Sequence, residues 1–344
     1  MIRVIQVGAG PLGRQIVRYI VEREGLELVG VVDVDPSLVG RDAGEVCGLG
    51  SMGLPIAGSL EEARLKAREA AQVVVLATVS SVEKLVPQVE EAARAGLHTV
   101  STCEELSYPW KQHPGAAGAI DRICREHEVA CLGTGVNPGF LMDYLPSVFT
   151  SIAQRVDRVE VERVQDASPR RVPFQKKIGA GLTHEEFEAN RQAGVLRHVG
   201  LPESVDMIAA AMGWELEEAG ETLEPVLAAA DLEVGYKPIA RGEPAGVQQV
   251  ATGMVAGREV LRLTFRAAVG EEKSYDRIRV FGVPAVDTVI EGGVNGDVAT
   301  CAITVNAIRS VVRAQTGLNT MLDVPVPAWF ATTKEVRVAA PAGG

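Results

Sequence analysis

The sequence predicts an α/β protein in which a Rossmann-type parallel-sheet domain is joined to a second α+β domain built on a largely antiparallel sheet. Three observations predict it. The first third of the chain alternates short apolar, β-branched runs with amphipathic segments, as a parallel sheet flanked by helices requires. A glycine-rich turn stands between the first such run and the first such segment. From about Val136 the runs change to apolar–polar alternation, the mark of strands with one wet face.

Taken in order, "IRVIQV" (2–7) reads as a strand and "PLGRQIVRYIVERE" (11–24) as the helix after it. "LELVGVVDVD" (26–35) is the second strand, and "AQVVVLAT" (71–78) is apolar enough to be covered on both faces. "VEKLVPQVEEAARAG" (82–96) has helical spacing and closes on Gly96, a helix-terminating glycine. "HTVST" (98–102) and "VACLGTG" (129–135) are further strands, with a helix around 116–127 between them. In the second part, 157–168, 259–269 and 274–282 alternate as half-wet strands, and 184–193 and 202–213 are helical. "VATCAITVNAIRSVVRAQTG" (298–317) reads as one long apolar helix that packs back on the first domain, and the Pro/Ala/Gly tail at 340–344 as a frayed end. The expected division is residues 1–135 plus 298–344 for the first domain and 136–297 for the second.

A formal charge of −11 over 344 residues argues against a nucleic-acid or anionic-membrane surface. No apolar run is long enough to cross a bilayer, and "MIRVIQVGAG" has none of the features of a secretory leader. The five cysteines are scattered and never spaced C-x-x-C, which favours a reduced, cytoplasmic protein over a disulfide framework or a zinc site.

"VIQVGAGPLGRQ" carries Gly8-x-Gly10-x-x-Gly13 between strand and helix. Gly8 permits the tight turn, Gly10 lets a pyrophosphate approach the backbone, and Gly13 lets helix and strand pack closely. Pro11 and Leu12 open the helix whose free amides and positive dipole end would hold the phosphates. Asp33, twenty residues past Gly13, stands where a carboxylate binds both ribose hydroxyls. It favours NAD over NADP, because a carboxylate repels a 2′-phosphate. Asp35 is a second candidate for that role, and Arg41 is placed to pair with such a phosphate, so both dinucleotides stay open. "LATVSS" (76–81), with Ala77 and Thr78, would border the cofactor's ribose and nicotinamide; a plain strand-to-helix turn accounts for it nearly as well.

Ligands of open parallel sheets bind beyond the carboxyl ends of the strands. Glu104 and Glu105 follow "HTVST" at such an end. Two neighbouring carboxylates in a partly dry cleft cannot both ionise cheaply, so one of them can shuttle a proton. An exposed, inert pair fits the same residues. Cys103 is explained as a buried strand-end residue, and no serine has a nucleophile context.

The segments "VSTCEELSYPW", "GTGVNPGFLMDYLP", "PFQKKIGAGLT" and "NAIRSVVRAQTGLNTMLDVP" together resemble the 2,4-diaminopentanoate dehydrogenases and the related native amine dehydrogenases. That group is similar in its N-terminal half to dihydrodipicolinate reductase. The resemblance covers nearly the whole chain. It implies a reversible NAD(P)-dependent deamination of an amine to a ketone or aldehyde plus ammonia, without a metal. It implies Glu104 as the catalytic carboxylate, with Glu105 as the second choice.

In "GVNPGFLMDYLP", Asn137 would cap a helix beginning near Gly139 and lie against the nicotinamide carboxamide, while Phe140 and Met142 would line the substrate pocket; a capped helix start with core apolar residues accounts for Phe140 and Met142 equally well. In "PFQKKIGAGLT", Phe174, Gln175 and Lys176 are the substrate-binding candidates. This stretch lacks the histidine pair of dihydrodipicolinate reductases, which counts against that activity. Expected partners are a small amine or ketone, ammonia and a second copy of the chain. The rivals are a 2,4-diaminopentanoate enzyme proper, an alcohol or sugar oxidoreductase using Lys176 or Lys177, and a nucleotide-sensing protein without turnover.

Overall fold

The run Val73–Leu76 is buried at every position, because its sheet is covered on both faces. In the computed structural model, residues 1–331 are described except Arg68, Arg171, Val234 and Gly235, so the expected tail at 340–344 lies outside the described residues. The chain divides into two compact units, Met1–Gly139 with Gly296–Gly344, and Phe140–Asn295.

The first unit holds strands β1 (Ile2–Val7), β2 (Leu26–Val32), β3 (Val73–Leu76), β4 (His98–Ser101) and β5 (Ala130–Gly133). Helices α1 (Pro11–Glu22), α2 (Ala43–Cys47), α3 (Leu60–Lys66), α4 (Val82–Arg94) and α5 (Pro114–Glu126) stand between them. All the strands pair in parallel. The second unit begins with α6 (Tyr144–Thr150), β6 (Arg155–Asp166), α7 (Val172–Lys177), α8 (His184–Gln192) and α9 (Leu201–Met212). It continues with β7 (Glu218–Leu227), β8 (Pro244–Val255), β9 (Arg258–Ala268), β10 (Tyr275–Val283) and β11 (Val286–Glu291). The chain then returns to the first unit through α10 (Gly296–Val311) and β12 (Gly317–Asn319). Sheet orders are β12-β5-β4-β3-β1-β2 and β11-β10-β6-β9-β8-β7. The second sheet is antiparallel except where β6 runs parallel to β9.

The local chemistry explains the boundaries. α1 starts on Pro11, whose missing N–H costs nothing at a helix start, and buries the stripe Gly13, Ile16, Val17 and Ile20. α4 buries Val82, Leu85, Val89, Ala92 and Ala93, and the chain leaves it through Gly96 at φ +70°. α8 carries a full capping box between Thr183 and Glu186. β9 alternates as expected, with Leu261, Leu263, Phe265 and Ala267 buried.

Two expectations need correction. The long helix read over 298–317 stops at Val311, and Gly317–Asn319 is a strand that extends the first sheet beside β5. A run apolar on all sides cannot by itself distinguish a buried helix from a helix followed by an inner strand. The helix expected near Gly139 starts instead at Tyr144, and Asp143 caps it by accepting the Tyr144 N–H at 2.7 Å. Gly139 turns at φ +117°, and a Cβ there would meet the Gly135 nitrogen at 2.5 Å, so the chain is too tightly folded at that point to begin a helix.

Candidate active site

The glycine turn is built as its spacing requires. Gly8 has φ +91°, and a Cβ on it would come within 2.4 Å of the Ala77 carbonyl oxygen. A Cβ on Gly13 would lie 1.8 Å from the Gly8 oxygen. Those two glycines serve close packing, whereas a Cβ on Gly10 would meet nothing within 4 Å. Gly10 therefore faces open space at the N-terminus of α1, where no side-chain cap forms among the described residues. That opening beside free helix amides fits a pyrophosphate.

Asp33 lies beside the turn. One carboxylate oxygen accepts the Ala9 N–H at 2.6 Å and the other the Asp35 N–H at 2.8 Å. Each oxygen keeps a lone pair for a ribose hydroxyl. Asp35 is exposed, and hydrogen bonds from Ser37 hold its carboxyl below the usual range. Arg41 is exposed on the same loop. Ala77 donates its N–H to the Val7 oxygen at 3.0 Å, and Thr78 donates its hydroxyl to Gln88 at 2.7 Å. The loop after β3 thus runs directly beside the glycine turn.

The segment after β4 folds into a single 3-10 turn, Glu104–Leu106. Leu106 is fully buried, and a Cβ on Gly133 of β5 would come within 2.5 Å of the Leu106 oxygen, so the turn rests directly on that strand. Both glutamates are half-buried, yet their surroundings differ. The Glu105 carboxylate accepts the Val82 N–H at 2.9 Å, and its backbone N–H donates to the Ser80 oxygen at 3.4 Å. His113 stands 3.7 Å from the same carboxylate oxygen and 2.7 Å from Glu83. Glu83, Glu105 and His113 bring ligand-capable atoms within 4.8 Å of one another, an arrangement these hydrogen bonds account for. Among the described residues, nothing donates to the Glu104 carboxylate. Cys103 is 1% exposed, and burial, helped by the two adjacent carboxylates, pushes its thiol up to about 12. It is no nucleophile at neutral pH.

Asn137 is half-buried, close to the tight turn at Gly139. In the second unit Phe140 is half-buried with its ring 6.0 Å from that of Tyr144, and Met142 is completely buried. Gln175 is also buried, and its amide organises the local backbone. It donates to the carbonyls of Ala167, Ser168 and Arg170 at 3.0, 3.1 and 3.0 Å, and accepts the Tyr236 N–H at 2.9 Å. Lys176 is exposed, with its ammonium 5.6 Å from the centre of the Tyr236 ring. Of the three candidates in that segment, Phe174 alone lines a cavity of the second unit, together with Lys177, Ile178, Arg197, His198, Val247 and Phe265.

This cavity is small, with a volume of about 60 Å³. His198 packs edge-on against Phe265 at 4.4 Å, and its backbone is held at both ends by Gln249, at 2.7 and 3.0 Å. Desolvation of the ring, with Lys177 and Arg163 adding repulsion, lowers the His198 pKa to about 3, so the imidazole stays neutral. Sequence reasoning put Lys176 before Lys177 among the pocket candidates, although the phase favours the second: Lys177 and Ile178, three and four residues on from Phe174, lie on its side of the chain, whereas 175 and 176 do not. Arg197, His198 and Val247 carried no comparable mark.

A glycine turn open at Gly10, an aspartate beside it and a carboxylate turn two strands away on the same sheet define an NAD(P)-dependent oxidoreductase. The 2,4-diaminopentanoate dehydrogenase C-terminal domain matches residues 140–339, and the dihydrodipicolinate reductase N-terminus matches residues 2–103. The chain belongs to the 2,4-diaminopentanoate dehydrogenase family. It is 32% identical to the 2,4-diaminopentanoate dehydrogenase of Acetoanaerobium sticklandii, over 95% of this chain and 94% of that one. It is 24% identical to an amine dehydrogenase of Streptomyces virginiae, over 95% and 97% of the two chains. The solved amine dehydrogenase of Mycobacterium smegmatis shares the fold, with a TM-score of 0.82 and 21% identity over 96% of this chain and 97% of that one.

Proposed function

We propose that this protein is an amine dehydrogenase that interconverts a primary amine with its ketone or aldehyde and ammonia, using Glu104 as the proton-transfer residue. The observation that carries the reading is the division of labour between the adjacent carboxylates. Glu105 is engaged by Val82 and His113, while Glu104 has no donor among the described residues. Gly8, Gly10, Pro11, Leu12, Gly13, Asp33, Ala77, Thr78 and Asn137 would hold the dinucleotide. When bound, it supplies the acceptor or donor of the hydride at the amine-bearing carbon. In the amination direction, the Glu104 carboxylate takes the proton from ammonium so that ammonia can attack the carbonyl. The same group returns a proton to the hydroxyl that leaves the carbinolamine. Its negative charge then steadies the positive C=N group. Asp33 supports NAD as the preferred form, and Arg41 is the residue that would accommodate NADP.

The test is reduction of NAD, and separately of NADP, by a panel of primary amines and 2,4-diaminopentanoate. Turnover with amines is expected; activity confined to hydroxy compounds would reject the class.

A homodimer and a cytoplasmic setting belong to the same reading. Five buried free thiols support a reducing compartment.

A further inference from the structure

We propose that Glu105 is a positioning residue, which, braced by the Val82 N–H and by His113, locks the turn carrying Glu104 to the loop that follows β3. The inference rests on the proton-transfer role proposed above for Glu104, and it concerns side chains to which that role assigns nothing.

Ser81 precedes α4 but its hydroxyl does not cap that helix; it donates to Glu83 at 2.9 Å. The capping position is filled from elsewhere in the chain. Glu105 reaches across from the next strand's end to accept the first amide of α4, where a negative charge also meets the positive end of the helix dipole. A second bond joins the same two segments, from the Glu105 N–H to the Ser80 oxygen. Ala77–Val82 is therefore fixed twice to Glu104–Leu106. At its other end, the loop leaves β3 beside Gly8 of the cofactor turn.

His113 completes the brace. It comes from the segment before α5 and holds Glu83 on one ring nitrogen while the other faces Glu105. The Glu105 side chain is only 14% exposed, so its carboxylate sits where a lost partner is costly. Three segments are thus tied by one carboxylate: the cofactor loop and helix α4, the turn carrying Glu104, and the lead into α5. The underside of the turn is already fixed against Gly133. What Glu105 adds is lateral registry, the distance between the Glu104 carboxylate and the dinucleotide.

Three variants and two readouts test this: kcat with a primary amine, and the dissociation constant of NADH measured by fluorescence titration. Glu105→Ala is expected to lower kcat by about thirtyfold and weaken NADH about fivefold, the scale of a small misplacement of reacting groups. Glu105→Gln keeps an acceptor for the Val82 N–H and loses only its charge, so it should recover all but about threefold of both. His113→Ala should fall between the two. If Glu105→Ala does not fold, His113→Ala stands in for it, and behaviour identical to the unaltered protein would then overturn the proposal.

Two further results would also overturn it. One is a folded Glu105→Ala protein unchanged in both readouts. The other is a Glu105→Gln protein as inactive as Glu105→Ala with normal NADH binding, which would make Glu105 itself the proton carrier. If the unaltered protein turns over no amine, the proposed function fails separately, and NADH affinity alone decides whether Glu105 braces the cofactor loop.

Discussion

Replacing Glu104 by glutamine is expected to lower amine turnover by about 10²–10⁴-fold, the usual range for removing a general acid–base group. Glutamine preserves shape but neither takes a proton from ammonium nor offers a charge to the C=N cation. Because no described residue donates to the Glu104 carboxylate, its loss breaks no internal bond. NADH affinity and melting temperature should therefore stay within error of the unaltered protein. Steady-state kinetics beside a fluorescence titration would measure both. A Glu104→Gln protein with more than a tenth of the original kcat would remove this residue from the chemistry. Glu104→Ala, which also opens space for water, should be no more active.

The second large effect concerns stability. Arg163 is 2% exposed and pairs with Asp276, itself 5% exposed, at 2.5 Å. The two clasp one residue between them: Arg163 donates to the Val294 oxygen at 2.8 Å, and Asp276 accepts the Val294 N–H at 2.7 Å. Arg163→Met would leave a buried carboxylate without its counter-ion, at a cost of about 3–5 kcal/mol. For a unit of this size, each kcal/mol lowers Tm by roughly 2–4 °C, so a fall on the order of 10 °C is expected. Arg163→Met combined with Asp276→Leu should regain part of the loss, since no charge remains stranded. Calorimetry of the three proteins would decide it. An unchanged Tm for the single variant would show that the pair is solvated.

The first unit was legible in the sequence because its signals are local. A buried strand such as Val73–Leu76 is written as an unbroken apolar run, and the glycine turn as three fixed positions. β7 was not legible, since it lies on an edge with most residues exposed and no alternation to betray it. β12 was hidden inside a longer apolar run, and the start of α6 was misread because the tight turn at Gly139 sits where a capped helix would fit equally well. At the candidate site, the pair of glutamates could be found from the sequence but not told apart. That distinction depends on Val82 and His113, which reach Glu105 only through the folded chain. The same holds for the cavity of the second unit, where helix phase could have exchanged Lys176 for Lys177, but nothing local pointed to Arg197 or His198.

All five cysteines are buried; burial raises the thiols of Cys47 and Cys103, and a hydrogen bond with Cys124, together with burial, raises that of Cys131. Maleimides and other alkylating reagents should consequently find nothing to modify while the native fold persists. A single cysteine introduced on an exposed helix such as α8 would then be a unique handle for a dye or a solid support. Immobilisation through it would leave the native thiols untouched.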